Sequence, residues 1–172
     1  MGTPFLLRIL ALRLALPILL FSSGVTGIGS AAAAEAFTED SPEHQALLLA
    51  SPFLERPAFT LREDYWQGGL SPELGHAVKL QFFKGNVYRL FMGIHTKKKP
   101  TGATLHLHIF NEKGDEVAHA TSAGTQPFSA MLEYKSRKTG AYLILMRLET
   151  APEDSKTDPK TGFPCVLFYG WE

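Results

Sequence analysis

From Phe59 onward the chain alternates apolar and polar residues with a period of two, the mark of half-buried β-strands. In "HAVKLQFF", Val78, Leu80 and Phe82 alternate with Lys79 and Gln81. After "KGN" the pattern resumes in "VYRLFMGI", where Tyr88, Leu90, Met92 and Ile94 alternate with Arg89. Folding this pair about Gly85 sets Phe82 opposite Tyr88, Leu80 opposite Leu90 and Val78 opposite Met92. That agreement predicts a hairpin with all six residues on one face. "TLHLHIF" and "EVAHATS" flank "NEKGD", which is strong turn chemistry, and predict a second hairpin. "SAMLEYK" and "AYLILMRLET" flank "SRKTG" and predict a third, with Tyr134 near Tyr142. Ile144, Met146 and Leu148 share the face of Tyr142, while Arg147 and Glu149 point away. With "FTLREDYW" at 59–66 and the terminal "FPCVLFYGW", the chain holds about eight strands. Their close spacing predicts an all-β fold, an antiparallel β-sandwich spanning 59–172.

Two stretches break the alternation. Residues 35–58 read as a polar leader and short helix, or as a linker. Ser41 is a good N-cap, Pro42 suits the first helical position, and Leu47, Ala50 and Leu54 fall on one face. Pro52 is expected to end or break that helix. Residues 1–34 read as a secretory signal peptide: Arg8 and Arg13, then an apolar run, then small residues with an A-x-A site at Ala32–Ala34. Cleavage is expected after Ala34, with Ala36 as a second choice. The unbroken apolar run is too short for a membrane anchor, so no transmembrane segment is expected after cleavage.

Removing the leader leaves 138 of the 172 residues, enough for one domain. It takes away Arg8 and Arg13 and none of the 17 acidic residues, so the formal charge moves from 0 to −2. A nucleic-acid binder carries a basic excess or stripe, which is missing here. "TKKKPTG" at 96–102 reads as a solvated turn. Cys165 is the single cysteine and sits among apolar residues, so no internal disulfide can form. It reads as a small buried hydrophobe. The alternatives are a reactive thiol or an intermolecular disulfide.

Three segments, "QFFKGNVYRLFMG", "LHLHIFNEKGDEVAHA" and "KTGAYLILMRLET", follow one another as apolar strand, G-x-x-Y strand, polar-glycine turn with "E-V-A" after it, and T-G-x-Y strand. Over about residues 76–150 the chain thereby resembles the bacterial pre-peptidase C-terminal (PPC-like) domain family. The resemblance implies a jelly-roll-like β-sandwich and a secreted, non-catalytic accessory module. It also gives roles to turn residues. Gly114 supplies a positive φ, and Gly140 and Tyr142 start a strand where the Tyr covers the sandwich edge and bonds nearby backbone. The family's modules are usually appended to an exported enzyme, whereas here the sandwich accounts for almost all of the chain after the leader.

Chemistry is sparse. In "LHLHIF" Leu105, Leu107 and Ile109 form one face, and His106, His108 and Phe110 form the other. Pairing Phe110 with Asp115 sets His106 opposite His119, and a register tighter by two sets His108 opposite His119. Either way three imidazoles share a face, within geometric reach of zinc or copper. The plainer reading is a solvated sheet face; Glu116 and Asp115 are the nearest carboxylates that could support a metal. Tyr65 and Trp66 in "DYWQGG" could stack on a sugar or pack in the core. "PEDSKTD" at 152–158 spaces acids as a weak calcium site might, without an EF-hand pattern. The G-x-S-x-G, H-E-x-x-H, P-loop and Rossmann patterns are all missing. The expectation is an exported, non-catalytic module that binds a protein or glycan in the periplasm or outside the cell. The alternatives are a metal-binding protein using the histidines and a small secreted hydrolase with an unrecognised site.

Overall fold

A computed structural model describes residues 37–98, 102–150 and 162–172. The leader at 1–34, the second cleavage position at Ala36 and the acidic loop at 152–158 lie outside the described residues. In chain order the elements are α1 (Pro42–Leu54), β1 (Thr60–Leu61), β2 (Trp66–Leu70), β3 (His76–Phe82), β4 (Val87–Ile94), a short 3-10 turn (Thr96–Lys98), β5 (Thr104–Phe110), β6 (Glu116–Thr121), β7 (Ser129–Lys135), β8 (Gly140–Glu149) and β9 (Phe163–Trp171). The fold is an antiparallel β-sandwich with one short helix. One sheet runs β1-β9-β4-β7, with β2 also pairing β9; the other runs β3-β8-β5-β6.

The alternation assigned the inward faces correctly. Leu105, Leu107, Ile109, Tyr142, Ile144, Met146 and Leu148 of one sheet meet Tyr88, Leu90, Met92, Ile94, Cys165 and Leu167 of the other in a single buried core. It assigned two of the three hairpins wrongly. β3 pairs with β8, and β4 pairs with β7 and β9, so β3 and β4 belong to different sheets. Phe82 does meet Tyr88, but across the sandwich: their rings stack at 3.8 Å, and Tyr88 Oη accepts the Phe83 N–H at 2.8 Å. β7 and β8 likewise split between sheets, and Tyr134 approaches Tyr142 ring to ring at 5.7 Å from the opposite layer. Alternation fixes which side of a strand is apolar; it does not say whether the next apolar strand lies beside it or facing it. The Tyr142 hydroxyl donates to Lys138 O at 3.1 Å, tying the start of β8 to nearby backbone as expected.

The β5–β6 hairpin forms as predicted, in the tighter register: His108 faces His119 and His106 faces Thr121. Gly114 has φ 83°, and Asn111 Oδ1 accepts the Lys113 and Asp115 N–H groups, closing the turn. "FTLREDYW" is not one strand. It splits into β1 and β2, and both lie along β9.

α1 starts as expected, with Ser41 Oγ accepting the His44 N–H at 3.1 Å. Pro52 does not stop it; the helix runs to Leu54. A proline removes the hydrogen bond to the carbonyl four residues back, and Leu48 and Pro52 both lie on the exposed side of the helix, where that loss is cheapest. The buried stripe is Ala46 and Ala50, with Leu47, Leu49 and Phe53 partly covered, and Leu54 is exposed. This stripe rests on the outer face of the five-stranded sheet, against Phe91, Val166 and Phe168. Gly93 allows the contact. A β-carbon there would collide with Pro42 O and lie 2.8 Å from Ala46 N. β4 is therefore buried on both faces, and Arg89, on the face opposite Tyr88 and Leu90, is covered.

Candidate functional site

The outer face of the β3-β8-β5-β6 sheet carries the candidate site. β5 lies between β8 and β6. Its leucines and Ile109 are fully buried, so parity drives His106 and His108 outward. Rows run across the strands: Arg147, His106 and Thr121; then Ala77, Leu145, His108 and His119; then Lys79, Leu143 and Phe110. A bulge follows. Ile109 pairs with Ala118 but Phe110 pairs with Glu116, leaving Val117 as the extra residue. Val117 turns toward the core, and Glu116 joins the outer face, where its Oε2 lies 3.2 Å from His108 Nδ1. Asp115 stays in the turn and accepts from Asn111 Nδ2 at 3.0 Å.

The three imidazoles form one nearly parallel stack. Ring centroids are 4.3 Å apart for His108 and His119, 5.6 Å for His106 and His119, and 6.1 Å for His106 and His108, with interplanar angles of 7°, 4° and 10°. His106 Nδ1 is 3.3 Å from His119 Nε2. Choosing one nitrogen per ring, all three lie within 4.8 Å of one another. The histidine side chains on β5 are not in open water: His106 is 19% exposed and His108 is 12% exposed. Glu149 Oε2 comes within 3.1 Å of His106 Nε2, but the approach is not aligned as a hydrogen bond, and His106 Nε2 and His108 Nε2 are both covered without a hydrogen-bond partner. Burial lowers the His106 pKa; Glu149 pulls it up, and His119 and His108 push it down again. The sequence identified the trio and its common face. It turned Glu149 away from the Tyr142 face without placing it beside the histidines, and nothing in the residue types announces the bulge that aims Glu116.

Tyr65 and Trp66 are used within the fold. The Tyr65 ring stacks on Phe168 at 4.3 Å and Trp66 on His76 at 4.4 Å. Both line a cleft of about 330 Å³ with Val78, Leu80, Leu167 and Tyr169. Cys165 is a core residue of β9, its thiol 3.6 Å from Val166 O and its pKa pushed far up by burial. That position denies it both nucleophilic chemistry and a disulfide to another chain. No helix among the described residues is long and apolar enough to cross a membrane.

No protein-family model matches the chain, and no curated protein matches it either.

Proposed function

We propose that this chain is an exported, non-catalytic module that binds a protein partner through the outer face of its β3-β8-β5-β6 sheet. The observation that carries this reading is the asymmetry of the two outer faces. One is covered by α1, with Phe91, Val166 and Phe168 beneath it. The other has no such cover among the described residues, and it mixes Phe110, half-buried Leu145 and the 42% exposed Leu143 with three histidines. Lys79, Arg147, Glu116 and Glu149 surround them. An apolar centre with a charged rim is the anatomy of a protein interface. A protein is favoured over a glycan because Tyr65 and Trp66, the sugar-stacking candidates, already pack on Phe168 and His76. The secretory pattern of residues 1–34 supports export.

Two measurements test this. The full chain, expressed with its leader in a bacterial host, is fractionated and its N-terminus sequenced. A chain beginning at Glu35 in the envelope or medium is expected; a chain retained inside the cell from Met1 contradicts export. A photo-reactive residue is then placed at Leu143 and, separately, at Leu48 on α1. One defined cross-linked species from position 143 and none from position 48 is expected. Nothing at 143, or the same products from both positions, contradicts the assigned face.

A further inference from the structure

The face proposed above as the working face carries a covered imidazole nitrogen, His108 Nε2, that the fold leaves without a hydrogen-bond partner. That atom, with the His106 ring beside it and His119 opposite, marks a place where a ligand can bind. We propose that His106 Nδ1, His108 Nε2 and His119 Nε2 together hold one divalent transition-metal ion, zinc or copper(II).

The donor atoms follow from the neighbours. Glu116 Oε2 lies 3.2 Å from His108 Nδ1, so that nitrogen carries the proton and Nε2 offers its lone pair. A carboxylate behind a histidine is the usual outer support of a metal ligand; it fixes the tautomer and raises the ring's basicity. Glu149 Oε2 stands 3.1 Å from His106 Nε2; without an aligned hydrogen bond, the carboxylate's charge still favours the proton on that atom, and Nδ1 then offers its lone pair. His106 Nδ1 is in turn 3.3 Å from His119 Nε2. Two nitrogens bound at about 2.0–2.1 Å to a tetrahedral ion sit about 3.3–3.4 Å apart, so one edge of the site already has its length. One nitrogen from each ring can be chosen so that all three lie within 4.8 Å of one another, a span that has to shorten by up to about 1.5 Å to match.

The stack has to open for this. Lone pairs lie in the ring planes, and rings within 10° of parallel cannot aim three of them at one point. A histidine turns about χ2 at low cost. His119 turns most freely, because it is exposed and lies on β6, the edge strand, and the His106 and His108 rings must tilt out of their near-parallel arrangement as well. Imidazole ligands suit zinc, copper and nickel, and the hard cations calcium and magnesium ask for oxygen cages instead. The one thiol is buried in the other sheet, so the soft ligand set of copper(I) is not at hand. Three protein nitrogens leave a fourth position for water, unlike the closed four-ligand set of a structural zinc site.

This inference uses the face assigned above but needs no partner, so the two fail separately. The full chain, untagged and stripped of metal with a chelator, is titrated with zinc, copper(II) and magnesium by calorimetry, and with cobalt(II) by visible absorption. One zinc or copper per chain is expected, with Kd of about 1 µM or tighter and no response to magnesium. Tetrahedral cobalt bands should appear. Changing His106, His108 and His119 together to Ala should weaken binding at least about 100-fold, and Glu116→Gln alone about 10-fold or more. If the triple variant does not fold, His119→Ala, an exposed change, makes the same comparison, with about a 10-fold loss expected. Binding that survives these histidine changes at wild-type affinity, or no zinc or copper binding at all, overturns the inference. Missing cross-links at Leu143 would leave it standing.

Discussion

Each sheet of this sandwich places polar side chains on its outer face, and the two faces treat them in opposite ways. On the five-stranded sheet Arg89 is 5% exposed at its side chain and lies under α1. Its Nη2 is 2.9 Å from Glu133 and 2.8 Å from Glu172, its Nε donates to Glu133 at 2.9 Å, and its guanidinium sits 4.5 Å over the Phe53 ring. One side chain thus joins α1, β4, β7 and the last residue of the chain. On the four-stranded sheet the histidines join nothing comparable. They stack on one another and touch only Glu116 and Glu149; covered nitrogens without hydrogen bonds occur on both faces, His106 Nε2 and His108 Nε2 here and Arg89 Nη1 there, so the difference lies in what each side chain ties together. The first arrangement spends polar groups on holding the fold; the second leaves them available. Buried polar residues are informative only with their partners counted: the same position, outward on a strand, is structural in one sheet and a candidate site in the other.

That contrast can be broken by mutation, and the largest effect belongs to Arg89. Arg89→Ala leaves Glu133 and Glu172 without their shared cation and empties the space over Phe53. It should cost about 3 kcal/mol in urea unfolding. Arg89→Lys should recover only part of this, because an ammonium cannot fork between two carboxylates. Gly93→Ala comes next. The added methyl meets Pro42 O and Ala46 N, so α1 must lift, at about 2–3 kcal/mol. The lifted helix should show as faster amide exchange across residues 42–54. Ser41→Ala removes the N-cap of the same helix for about 1 kcal/mol, read as a lower thermal midpoint. On the bare face, Leu143→Ser should change stability by no more than about 0.5 kcal/mol, while abolishing any partner contact made there.

The contrast also shows what the amino-acid pattern carries. Leu105, Leu107 and Ile109 are apolar at every second position, and that alone puts His106, His108 and Phe110 outward. The turn "NEKGD" closes one hairpin, so His119 could be brought opposite the pair. Three features lay beyond that pattern. The stretches "KGN" and "SRKTG" look like hairpin turns but carry the chain from one sheet to the other, a choice made by the whole core rather than by the turn. α1 covers β4 because position 93 lacks a side chain, a fact of close approach that periodicity does not record. The bulge at Val117 re-aims Glu116 through a single unpaired residue, while Glu149 reaches His106 from β8, which only the register of β5 on β8 reveals.

The most direct measurement of the central claim, that one outer face is built for the fold and the other for a ligand, compares two metal-free variants by urea unfolding. One is Arg89→Ala; the other changes His106, His108 and His119 together to Ala. The histidine variant should stay within about 1 kcal/mol of wild type in either direction, because it removes groups that satisfy little and leaves Glu116 and Glu149 to water. Arg89→Ala should fall well below both. A histidine variant as damaged as Arg89→Ala would contradict the account and make the imidazole stack part of the fold.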